Sequence, residues 1–205
     1  MKPKYLILFL VIILSACFVG CSSPPKLSPL AANDVIVAFG DSLTFGTGVE
    51  QIYSYPAVLG QIIGRKVVNA GVPGEVTADG LSRLPKVLQQ EKPALLILCH
   101  GANDQLRRLN LRKAADNIKK MISLARHEGV SVVLIAVPAP NLSVSPHVMY
   151  GEIAWELSVP LEEKILSEVL ADSKLKSDFI HPNATGYRLM AEAIAALLKK
   201  SGAIN

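Results

Sequence analysis

The chain predicts an α/β fold, a three-layer α/β/α sandwich around a mostly parallel sheet of about five strands. Three observations carry this. Short apolar runs recur along the chain, segments of helical length separate them, and the runs are mostly apolar instead of alternating with polar residues. Strands buried on both faces and joined by helices connect through right-handed crossovers, which place helices on both sides of the sheet.

The elements follow in order. Val35–Phe39 is a first strand, ended abruptly by Gly40. A helical segment at about 54–63 leads to the second strand, Lys66–Ala70, and another at 77–91 leads to the third, Ala94–Cys99. Across 111–128, Leu111, Ala114, Ala115, Ile118, Met121, Ile122 and Ala125 recur at three- and four-residue spacing. Gly129 ends that helix before the fourth strand, Val130–Val137. Pro138, Pro140 and Pro146 make an extended loop, with helices expected around 147–156 and 161–170. A fifth strand near Val159-Pro160-Leu161 is short, and its proline confines it to an edge or an end. A helix over 183–200 closes the chain.

Residues 1–21 are expected to be a targeting segment outside the fold. Lys2 and Lys4 precede an apolar run from Tyr5 to Leu14, too short to span a bilayer comfortably, and small residues and cysteines follow. Leu14-Ser15-Ala16-Cys17 and Phe18-Val19-Gly20-Cys21 each resemble a bacterial lipoprotein signal, in which the cysteine becomes the lipidated first residue. The residues before Cys17 fit that pattern better, and the polar stretch after Cys21 makes Cys21 the alternative. Residues 22–33, rich in Ser and Pro, are expected to form a tether, leaving one domain at 34–205. The resemblance implies a protein of the bacterial cell envelope, lipid-anchored to a membrane and facing the periplasm or exterior; cleavage without lipidation would release it to the periplasm.

Charge and cysteine usage exclude several classes. Without Lys2 and Lys4 the 21 basic residues fall to 19 against 17 acidic ones, a net charge of +2, too small to argue for nucleic acid. Cys99 is the one cysteine of the domain, and the absence of CxxC and HExxH gives a metal little support, so no cofactor is expected.

The chemistry begins at Gly40-Asp41-Ser42-Leu43. In open α/β sheets, reactive groups sit beyond the carboxyl ends of strands, so Ser42 lies where a nucleophile could be exposed. A serine hydroxyl needs a base, usually an imidazole held by a carboxylate. Among His100, His127, His147 and His181, the last stands in Asp178-Phe179-Ile180-His181, where three-residue separation within a turn can bring the carboxylate to the ring. His100 ends the third strand but lacks a carboxylate at suggestive spacing, which makes it the second choice. His127 reads as a solvated helix end and His147 as a loop residue. Two more loops follow strands: Asn69-Ala70-Gly71-Val72-Pro73-Gly74 and Gly101-Ala102-Asn103-Asp104. Their glycines let backbone N–H groups approach a substrate, and an asparagine amide can donate to a developing oxyanion.

These four blocks, in this order and across most of the mature chain, resemble the GDSL, or SGNH, family of hydrolases, near the bacterial thioesterase I, lysophospholipase L1 and arylesterase branch. The resemblance implies the flavodoxin-like SGNH hydrolase fold, Ser42 as nucleophile, His181 as base and Asp178 as the carboxylate that orients it. It implies an oxyanion hole made by the Ser42 N–H, the Gly74 N–H and the Asn103 side chain. The choice of Gly74 over Gly71 rests on the match alone. Two departures stand out: Ala102 replaces a common glycine, and Val76 replaces a common threonine. No Gly-x-Ser-x-Gly elbow is present, which argues against the α/β-hydrolase fold.

The implied activity is serine esterase hydrolysis of carboxylic acyl esters, of the arylesterase, lysophospholipase or acyl thioesterase type, by a monomer acting on small-molecule or lipid esters. An acetyl esterase of carbohydrate or peptidoglycan is the alternative, and a non-catalytic surface lipoprotein a more distant one. Leu106, Leu109, Leu142 and Val144, on loops near the expected site, could line an acyl groove. Arg107 and Arg108 could steer an anionic group or be simply solvated.

Overall fold

The computed structural model describes residues 25–139 and 144–205. Five parallel strands form one sheet in the order β2-β1-β3-β4-β5. β1 (Ile36–Gly40) lies between β2 (Val67–Gly71) and β3 (Leu95–Cys99), with β4 (Ser131–Ile135) beyond β3. β1 and β3 are buried along their whole length, which is why both lack the alternation of a half-exposed strand. β2, on the edge, is only partly buried.

The helices complete the sandwich. A single turn, α1 (Ser42–Phe45), follows β1 directly, and α2 (Tyr55–Ile63) returns the chain to β2. α3 (Thr77–Glu91), the short α4 (Ala102–Leu106) and α5 (Leu111–His127) flank β3 in sequence. α6 (Val148–Leu157) and α7 (Ile165–Ala171) bracket β5, and α8 (Ala184–Lys200) ends the fold. α8 packs on α2, while α3 packs on α5, giving the two helical layers. The order β2-β1-β3-β4-β5 reverses direction at β1 and β3, so the crevice beyond their carboxyl ends is the expected place for a site.

Three expectations need correction. The fifth strand is Leu161–Glu162, one step past Pro160, because Leu134 and Ile135 of β4 pair with those two residues. The helix expected at 161–170 therefore begins only at Ile165, where Glu162 Oε1 accepts the Ile165 N–H at 3.0 Å. Part of the presumed tether belongs to the body: the N–H groups of Leu27 and Leu30 donate to Ser201 and Ala203 carbonyls at 2.9 and 2.8 Å, and Leu30 is buried. Two leucines in an otherwise Ser- and Pro-rich stretch have apolar surface to bury, and composition averaged over the stretch hid them. Cys17 and Cys21 lie outside the described residues.

Candidate active site

Each reactive side chain is set by a local device. Gly40 closes β1 against β3 so tightly that a Cβ there would lie 1.9 Å from the Cys99 carbonyl oxygen and 2.4 Å from Thr44 Oγ1. Asp41 caps α1, its Oδ1 accepting the Leu43 N–H at 3.1 Å. Burial pushes the Asp41 carboxyl up, opposed by nearby His100 and by the N–H groups of Leu43 and Ala102. Ser42 is the first residue of α1, a position whose N–H has no partner within a helix. Gly46, at φ +92°, ends that turn.

Asp178 organises the opposite wall. Its Oδ1 accepts the N–H groups of Ile180 and His181, both at 2.8 Å, which folds the three-residue turn. Its Oδ2 accepts His181 Nδ1–H at 2.7 Å, leaving Nε2 as an acceptor, and Nε2 lies 3.0 Å from Ser42 Oγ. Partial burial would raise the Asp178 carboxyl, but the His181 hydrogen bond and the two backbone N–H groups outweigh it and hold the carboxyl below its ordinary value. Asn183 then caps α8 by accepting the Gly186 N–H at 3.1 Å. The Asp-x-x-His turn thus serves both as a helix entry and as a support for the imidazole.

The two glycine-bearing loops meet beside Ser42. Gly74 sits at φ +79°, open to glycine and strained for other residues. Asn103 Nδ2 donates to the Glu75 carbonyl at 3.0 Å, which occupies one of its two amide hydrogens. Arg107 donates to the Gly74 carbonyl at 2.7 Å, so this arginine is a loop staple and not a free surface charge. Asp104 accepts both the Thr77 N–H, at 2.8 Å, and the Thr77 hydroxyl, at 2.7 Å. Sequence reasoning gave Asp104 no role, because its partner Thr77 stands 27 residues earlier in α3.

His100 is not a second base. It is fully buried, its Nδ1 accepts the Gly101 N–H at 3.0 Å, and its Nε2 donates to Glu75 Oε2 at 3.1 Å. The carboxylate it seemed to lack stands 25 residues earlier. His147 caps α6 through Nδ1, which accepts the Met149 N–H at 3.2 Å, and His127 ends α5.

A cavity of about 150 Å³ opens beside Ser42 and His181, lined by Leu43, Ala102, Leu106, Val137, Val144, Leu170 and Ile180 among others. Leu106 and Val144 both line this cavity. Leu109 does not line it and is 45% exposed, turned away where the chain leaves α4. Leu142 lies outside the described residues. Phe179, between Asp178 and His181, is 94% exposed on the rim. No cluster of three or more metal-ligating side chains is present among the described residues.

A serine, an imidazole and a carboxylate in hydrogen-bonded sequence, beyond the carboxyl ends of a parallel sheet and without a nucleophile elbow, define a class: serine hydrolases of the SGNH type. The chain belongs to the GDSL-like lipase/acylhydrolase family, whose model matches residues 38–189. It is 29% identical over 191 residues to esterase TesA of Pseudomonas aeruginosa, covering 88% of this chain and 95% of the relative. It is 30% identical over 182 residues to an arylesterase of Vibrio mimicus, covering 82% and 90%. The crystal structure of TesA superposes with a TM-score of 0.74 at 28% identity, covering 82% of this chain and 99% of that one.

Proposed function

We propose that the protein hydrolyses carboxylic acyl esters through an acyl-enzyme on Ser42. His181 Nε2 takes the Ser42 proton as Oγ attacks the carbonyl carbon, and the Ser42 N–H, Gly74 N–H and Asn103 amide stabilise the tetrahedral oxyanion. The intermediate collapses, the C–O bond to the alcohol breaks, and His181 returns its proton to the leaving oxygen. Water then repeats the sequence on the acyl-enzyme, regenerating Ser42 and releasing the acid. Asp178 fixes the imidazole tautomer and stabilises the imidazolium at each stage.

The observation that carries this reading is the continuous path Ser42 Oγ to His181 Nε2 to Asp178, with contacts of 3.0 and 2.7 Å. The apolar lining of the adjacent cavity favours an acyl chain over a bare acetyl group. The rim, with exposed Phe179, Ile180 and Leu106 beside Lys176, suits an amphiphilic ester. A fluorophosphonate probe should label Ser42 in the wild type and fail to label Ser42→Ala. Labelling that survives in Ser42→Ala, with p-nitrophenyl ester hydrolysis intact, would place the nucleophile elsewhere.

The N-terminal segment supports a cell-envelope location with a lipid on Cys17, or on Cys21 as the alternative. Leu27 is bonded to Ser201, at the carboxyl end of α8, whereas His181 precedes the amino end of that helix. Seventeen residues of helix separate the two ends by about 25 Å. The described chain therefore joins the fold at the pole opposite the catalytic mouth.

A further inference from the structure

Behind the oxyanion loops lies an ion cluster that the proposed chemistry does not use. Glu75 is buried and accepts Arg83 Nε–H at Oε1 and Arg83 Nη2–H at Oε2, both at 2.7 Å. Its Oε2 also accepts from His100 Nε2 at 3.1 Å. Arg83 donates further to the Ala70 carbonyl at 3.1 Å, and its guanidinium stacks 4.1 Å above the Phe39 ring, two residues before Asp41. The His100 carbonyl accepts the Tyr150 hydroxyl at 2.8 Å. The cluster thus ties together the ends of β2 and β3, helix α3 and helix α6.

α3 is packed hard against this group. A Cβ at Gly80 would lie 2.3 Å from His100 Nε2 and 3.3 Å from Glu75 Oε2, so glycine is what lets the helix approach. Buried ion pairs are an expensive way to gain stability, since apolar residues of similar volume often do as well or better. What a bidentate, doubly donated carboxylate supplies is position. The residue so positioned is Glu75, whose backbone carbonyl accepts one hydrogen of the Asn103 amide and whose N–H follows Gly74.

We infer that Glu75, held by Arg83 and His100, is a positioning residue for the oxyanion hole. Its carboxylate fixes the residue whose backbone carbonyl holds one Asn103 amide hydrogen and so aims the second at the oxyanion. Donors set in advance cost no reorganisation when charge develops, and a displacement of an ångström forfeits much of that gain. The inference rests on Asn103 acting as an oxyanion donor. It adds that this donor is worth its full value only while Glu75 is clamped.

A double-mutant cycle tests this. Glu75→Gln keeps the shape but weakens the ion pair, and Arg83→Lys keeps the charge but loses the fork, so the two disrupt the clamp from different sides. Each should lower kcat on a p-nitrophenyl ester about 10-fold or more with KM within about twofold, in protein that circular dichroism shows to be folded. In the Asn103→Ala background the same substitutions should cost less than about threefold, because the donor they position is gone. Equal losses in both backgrounds, or a loss confined to KM, would overturn the clamp and leave the oxyanion assignment standing. If Asn103→Ala alone leaves kcat unchanged, the oxyanion assignment fails and the clamp falls with it.

Discussion

The acyl-chain profile of the enzyme follows from the size of the cavity beside Ser42. Its volume is about 150 Å³. An apolar protein cavity of about that size accepts a benzene-sized guest, about six carbons. With the carbonyl carbon at Ser42, the walls formed by Leu106, Val137, Val144 and Leu170 should accommodate an acyl group of about six to eight carbons. Each fully buried methylene contributes about 0.8 kcal/mol, close to fourfold in kcat/KM. Four methylenes from acetyl to hexanoyl then give about 3 kcal/mol, or about 200-fold; a chain only half covered would still gain about 15-fold. Beyond about eight carbons the chain passes the exposed Leu106, Phe179 and Ile180, and each methylene should add less than about twofold. The assay is kcat/KM for p-nitrophenyl esters from acetate to palmitate, with Ser42→Ala as the blank. Ala139→Leu, which adds three carbons to the lining, should move the optimum toward shorter chains by about as many carbons. A strict acetate preference, or a slope that continues unchanged to palmitate, would refute the assignment of this cavity to the acyl group.

Four further outcomes are expected. Ser42→Ala should lower kcat by about 10⁴–10⁶-fold and Asn103→Ala by about 10²–10³-fold on the same ester. Gly40→Ala, whose Cβ would lie 1.9 Å from the Cys99 carbonyl oxygen, should force β1 and β3 apart at a cost of about 3 kcal/mol, read as a melting temperature lower by about 6–12 °C. Burial would raise the Glu75 carboxyl, but Arg83 and then His100 hold it from 4.5 down to about 2; this depressed carboxyl contributes stability above pH 4.5, about 3 kcal/mol, that is lost as pH falls toward 2. Melting temperature against pH should therefore steepen over that acid range in the wild type and flatten in Glu75→Gln. Cys17→Ser should abolish metabolic labelling by a lipid precursor in the bacterial host, and loss of label in Cys21→Ser alone would move the anchor to Cys21.

What could be read from the chain, and what could not, divides along a physical line. β1 and β3 were legible because strands buried on both faces must be apolar throughout, and α5 because its one buried stripe imposes a helical period. Asp178 and His181 were legible because a three-residue turn is a local structure whose geometry depends on nothing distant. The orientation of Leu109 and the start of α7 at Ile165 were not legible, for the converse reason. Which way a loop leucine turns, and whether Leu161 joins a strand or a helix, is decided by β4 and by the body of the fold, not by neighbours in sequence.

The same division explains why His100 resembles a base in the sequence. A histidine at the end of a central parallel strand stands where a catalytic group should, and nothing within a few residues offers it a carboxylate. Its partner, Glu75, reaches it only because β2 and β3 flank β1 and bring their following loops together beyond the sheet. A parallel sheet brings to one edge loops that are tens of residues apart in sequence, and charged groups there can neutralise one another without any sequence spacing to announce it. Strand-end position therefore supplies candidates, and hydrogen bonding separates them. His181 has its Nδ1 committed to Asp178 and its Nε2 facing Ser42, while both nitrogens of His100 are engaged by Gly101 and Glu75. An imidazole with no free nitrogen cannot take a proton from Ser42, so the structural part that remains for His100 is to hold the loop that carries Asn103.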